Sequence, residues 1–65
     1  MKAIVNKPRK YVTISCYGQE SVKERNNAIR TYTTYIAASE GSERDRYVSI
    51  LLQLQEGKNY CTDEI

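Results

Sequence analysis

The 65-residue chain contains no histidine. That removes the commonest general base near neutral pH and the commonest zinc ligand, and with them the usual way to activate Ser21, Ser42 or Ser49 as a nucleophile. Cys16 and Cys61 are the only thiols, so a four-ligand zinc site would need two carboxylates or a second chain to complete it. They also lack the close CxxC spacing that tunes redox pairs. No glycine-rich phosphate loop of the Walker or dinucleotide type is present. No apolar run, Ile50-Leu51-Leu52 included, is long enough for a bilayer span or for the apolar segment of a secretion signal. Together these absences predict a non-enzymatic protein with no catalytic, cofactor or metal residues. They also predict a cytoplasmic location in which both thiols stay reduced.

What is present suffices for folding, since 40% of the residues are hydrophobic and 28% charged. Residues 1–65 read as a single small domain, with residues 1–9 a basic leader and 58–65 a loose or short-strand tail. A chain this short buries only about 60% of the surface its unfolded form exposes. Domains of this size often draw on a disulfide, a metal or self-association. A net charge of +2 is too small to mark a nucleic-acid binder by itself. Its distribution is uneven: residues 1–10 carry Lys2, Lys7, Arg9 and Lys10 with no acid, whereas residues 56–65 carry Glu56, Asp63 and Glu64 against Lys58.

The segment from Lys10 to Tyr17 alternates, with Val12, Ile14 and Cys16 on one face, and predicts a strand. Lys2 to Val5 is a candidate antiparallel neighbour through a turn at Asn6, Lys7 and Pro8. Gly18 breaks the strand, and a helix is expected from Glu20 or Ser21 to about Ser39 with Val22, Ile29, Tyr32 and Ile36 on one stripe. A second helix is expected from about Glu43 to Glu56. Between them, Gly41 is suited to a left-handed helix stop, and Ser42 to an N-cap with Glu43 and Asp45 in the first turn. Gly57 reads as the second helix stop, and Tyr60 to Thr62 as a three-residue strand. The predicted fold is α+β, an antiparallel two-helix hairpin packed with a short β-strand or β-hairpin.

Three groups of residues are candidates for function. Lys23, Asn27 and Arg30, with Thr34, follow helical spacing and are residue types suited to DNA; a solvated helix face explains the same pattern. The leader residues Lys7, Arg9 and Lys10 adjoin Tyr11 and Tyr17, and cations beside aromatic platforms suit single-stranded nucleic acid, although strand tyrosines also serve cross-strand packing. Tyr47, Leu51 and Leu54 on the second helix are candidates for self-association, because its apolar residues wrap beyond one stripe. In the dense charge run, Glu43 and Asp45 suit the helix start. Arg44, Arg46 and Tyr47 are left as partner-binding candidates, one arginine being placed to bridge an acid on the terminal segment.

The strings Thr13-Ile14-Ser15-Cys16-Tyr17, Ser39-Glu40-Gly41-Ser42-Glu43-Arg44-Asp45-Arg46-Tyr47 and Gly57-Lys58-Asn59-Tyr60-Cys61-Thr62-Asp63 resemble a group of short proteins from Gram-positive (Firmicutes-type) gut bacteria, often carried on mobile or conjugative elements. No activity or catalytic residue comes with that resemblance, which covers most of residues 12–63 and leaves out the basic leader. It implies a bacterial cytoplasmic accessory protein. The expected function is binding of a macromolecular partner or of a second copy, with nucleic-acid binding in a mobile element as the alternative.

Overall fold

A computed structural model describes residues 8–64. In chain order the elements are β1 (Tyr11–Cys16), β2 (Gln19–Glu24), α1 (Arg25–Ala38), α2 (Ser42–Gln55) and β3 (Tyr60–Thr62). They form an α+β unit of two helices and one mixed three-stranded sheet in the order β2-β1-β3. β1 pairs antiparallel with β2 and parallel with β3.

The stretch from Gln19 to Glu24, expected to open the first helix, is a strand instead. Tyr17 and Gly18 both have positive φ, at 54° and 78°, the signature of a two-residue turn whose twist matches the flanking strands. Cys16 therefore faces Gln19, and the register runs on to Tyr11 opposite Glu24. A tyrosine tolerates this left-handed conformation only at a cost of about 1–2 kcal/mol. The compensation comes from its backbone N–H, which donates to Asp63 Oδ2 at 2.9 Å. Val22 consequently leaves the helical stripe and is 67% exposed. The Lys2 to Val5 strand lies outside the described residues, and β1 has β2 and β3 on its two sides.

Alternation along β1 sends Val12 and Ile14 into a core shared with Cys61 of β3, Ala28 and Tyr32 of α1, and Ile50 and Leu54 of α2. The helices meet through three tyrosine rings: Tyr47 lies 5.8 Å from Tyr32 and 5.2 Å from Tyr35, and Tyr32 meets Tyr35 edge-on at 5.3 Å.

The junction between the helices works differently from the expected glycine stop and serine cap. Ser39, extended at φ −126°, closes α1 with its N–H on the Ile36 carbonyl and its hydroxyl on the Tyr35 carbonyl at 2.6 Å. Gly41 is the N-cap of α2, at φ 70° and ψ −145°, a conformation essentially reserved for glycine. Its carbonyl accepts the Asp45 N–H, and Ser42 makes no side-chain capping bond. Glu43 and Asp45 do occupy the first turn of α2, where negative charge is favourable.

At the other end of α2, Gly57 stops the helix as expected. Lys58 N–H reaches the Gln53 carbonyl and Gly57 N–H the Leu54 carbonyl, both at 3.1 Å, the two bonds of a Schellman motif. Gly57 is required twice over there, because its φ is +88° and an added Cβ would lie 3.0 Å from Pro8 Cγ.

Candidate functional site

Among the described residues, two knots of long-range side-chain hydrogen bonds and one open sheet face stand out. The first knot surrounds Arg25, a cation at a helix start, where the helix dipole disfavours it. Its guanidinium explains the choice. Nε donates to the Arg9 carbonyl at 2.9 Å, one terminal nitrogen to the Leu54 carbonyl at 3.0 Å and the other to Asn59 Oδ1 at 2.7 Å. Asn59 Oδ1 also accepts the Arg9 N–H at 2.8 Å. One planar fork thus joins the incoming chain, the carbonyl end of α2 and the entry to β3.

The second knot surrounds Asp63, whose side chain is 1% exposed. Its Oδ2 accepts the Tyr17 N–H and, at 3.1 Å, an Arg46 N–H. These bonds hold the carboxyl below its ordinary value, the Tyr17 N–H contributing most and outweighing the opposing effect of burial. The Arg46 guanidinium lies 5.0 Å from the Tyr17 ring centre, so the arginine clamps the turn and the tail together. Burial, followed by the nearby Asp63 carboxylate, pushes the Cys16 thiol above its usual range. Burial likewise pushes Tyr32 up to about 12. Both groups are therefore protonated at neutral pH and poor nucleophiles. Cys16 and Cys61 are both free thiols, Cys61 fully buried.

The open surface is the face of the sheet turned away from the helices. The register places Tyr11, Thr13 and Ser15 of β1 there, flanked by Glu20, Val22 and Glu24 of β2 and by Tyr60 and Thr62 of β3. Tyr11, Val22 and Tyr60 are each at least half exposed. Tyr60 donates its hydroxyl to Glu20 Oε2 at 3.1 Å, bridging β3 to β2 across β1. At the rim, Lys10 stands 3.8 Å from Glu24 and 5.7 Å from the centre of the Tyr11 ring.

The residues predicted from sequence are dispersed by this arrangement. Lys23 lies on β2, while Asn27 and Arg30 are exposed on α1, so the three do not share a helical face. Arg9 and Lys10 are exposed, Arg9 with its backbone N–H and carbonyl engaged by Asn59 and Arg25, and Lys7 lies outside the described residues. Arg44 is exposed. Arg46 is the arginine that bridges to the terminal acid, so its charge is already engaged within the chain. Leu54 is 1% exposed and belongs to the protomer's own core, and Tyr47 and Leu51 are half-buried against that core. Of the three self-association candidates, Leu54 is therefore not displayed at the surface.

Arg25, Gln53, Asn59 and Tyr60 were not singled out by sequence reasoning. For Arg25 the sequence carries no local signal, because the expected helix began at Glu20 or Ser21 and only the fold places this cation at a helix start. No family model, curated protein or solved structure matches the chain.

Proposed function

We propose that this chain is a small non-enzymatic accessory protein, bacterial and cytoplasmic, that holds a macromolecular partner on the open face of its sheet. In this reading the helices form an antiparallel hairpin that serves as scaffold. The carrying observation is the asymmetry of the sheet: one face is closed by both helices, while the other displays Tyr11, Val22 and Tyr60. Exposed aromatic and β-branched side chains on a rigid support suit recognition, because little side-chain entropy remains to be lost on binding. The chemistry of the two knots points the same way, since Arg25, Arg46 and Asp63 spend their polar groups on holding the chain together.

The test is site-specific photocrosslinking in the native host. A photoreactive residue at position 22 or 60 is expected to give a discrete adduct, and one at exposed Gln55 of α2 is not. Adducts formed equally from all three positions would end the reading.

Single-stranded nucleic acid, in a mobile-element setting, is the second reading, favoured by Lys10 over Tyr11 and by Arg9 beside Tyr60 in one shallow depression. It predicts salt-sensitive oligonucleotide binding that falls roughly tenfold in Tyr60→Ala, in line with the loss of one stacking platform. Unchanged affinity in that variant would remove it.

A further inference from the structure

The sheet has two outer edges with different chemistry. On β3, the outward backbone groups of Thr62 are met by one side chain: Gln53 Oε1 accepts its N–H at 3.2 Å and Gln53 Nε2 donates to its carbonyl at 2.8 Å. A primary amide thereby stands in for a neighbouring strand. On β2 no strand or side-chain amide among the described residues does the same.

The hydrogen-bond phase shows which groups are offered there. Arg25 N–H donates to the Lys10 carbonyl, so in the antiparallel register Gln19, Ser21 and Lys23 direct their backbone groups at β1. Glu20, Val22 and Glu24 direct theirs outward. The Glu24 carbonyl is committed to the start of α1 as its N-cap, which leaves three N–H groups and the carbonyls of Glu20 and Val22. The side chains of these same residues lie on the open face, in the order acid, apolar, acid.

We propose that β2 is a strand-addition site for an extended peptide of another protein, with basic residues at positions 1 and 5 around an apolar residue at position 3. The proposal rests on the reading of the open sheet face as the docking surface and names the partner for it. An added antiparallel strand pairs its residues directly opposite Glu20, Val22 and Glu24. Cations then meet two carboxylates and an apolar side chain covers Val22, while the backbone ladder supplies affinity independent of sequence. A second copy of β2 is a poor occupant, because any flush antiparallel pairing brings the acids of both strands to one face.

The experiment uses the full chain, labelled with nitrogen-15, titrated with the capped peptide Thr-Lys-Thr-Val-Thr-Lys-Thr and with its counterpart carrying Glu for both Lys. The basic peptide is expected to shift and protect the amides of Glu20, Val22 and Glu24, with the acidic peptide about tenfold weaker. The double variant E20K/E24K is expected to reverse that preference; both positions are at the surface, and circular dichroism checks that the fold is retained. Equal affinity for the two peptides, or shifts confined to other segments, overturns the proposal. So does a thymidine decanucleotide that shifts Tyr11 and Tyr60 when neither peptide binds, an outcome that leaves the open face as a docking surface. Adducts spread over helix and sheet in the crosslinking experiment would instead end the underlying reading, whatever the peptides do.

Discussion

The two edges of this sheet are built to opposite standards. The β3 edge belongs to a strand of three residues, yet it is secured by Gln53 at Thr62, by the Arg25 fork through Asn59 at its entry and by Arg46 through Asp63 at its exit. The β2 edge is twice as long and carries no comparable fastening among the described residues. A short strand contributes few ladder bonds, so it needs side chains to hold it. A strand joined to its neighbour by a tight turn does not, and its outer backbone stays available.

If the β3 side is where the molecule invests its polar groups, Arg25→Ala should be the most damaging change. Three hydrogen bonds are lost and the Leu54 carbonyl loses its cationic partner, which predicts about 3 kcal/mol of destabilisation in urea titration. Arg25→Lys should recover less than half of it, since an ammonium cannot span the same fork. A loss below about 1 kcal/mol would mean that the knot is decoration.

Asp63→Asn comes next, at about 2 kcal/mol near neutral pH, because the buried acceptor loses its charge beside Arg46. Its signature is in the acid limb. A carboxyl held below its ordinary value of 3.8 contributes stability that is present above that value and lost as pH falls through the folded-state value. The parent protein should therefore lose stability below about pH 4, and the asparagine variant should show a flatter profile there. Parallel profiles for the two proteins would contradict the assignment.

Gln53→Ala should cost about 1–1.5 kcal/mol and, more tellingly, raise hydrogen exchange at the Thr62 amide while leaving Val22 unaltered. Smallest of all should be Val22→Thr, within about 0.5 kcal/mol of the parent in the same titration. A large effect at Val22 would show that the β2 side is structurally loaded after all, and would erase the contrast.

Much of this frame was legible in the chain itself. The alternation from Tyr11 to Cys16, the Gly57 stop and the short run at Tyr60 are local patterns, and each appears where expected. The link from an arginine in the Glu43 to Arg46 run to a terminal acid was readable from charge. β2 was not legible, because Gln19 to Glu24 holds one apolar residue and lies at an edge, where alternation carries no burial signal. Its existence depends on Tyr17 accepting a left-handed backbone, which in turn depends on Asp63, 46 residues away. Leu54 illustrates a second limit. Helical spacing shows that a residue belongs to an apolar surface, but whether that surface faces its own sheet or another chain is decided by the register of the fold.

The three packed tyrosines have an optical consequence. The chain has six tyrosines and no tryptophan, so its near-ultraviolet absorption is tyrosine absorption. Tyr32, Tyr35 and Tyr47 sit within 5.2 to 5.8 Å of one another in a fixed, chiral arrangement contributed by both helices. Their coupled transitions make near-ultraviolet circular dichroism a built-in gauge of helix docking, separate from backbone helicity and needing no label. In a urea titration, loss of that signal ahead of the far-ultraviolet helical band would mark helices that undock before they unwind.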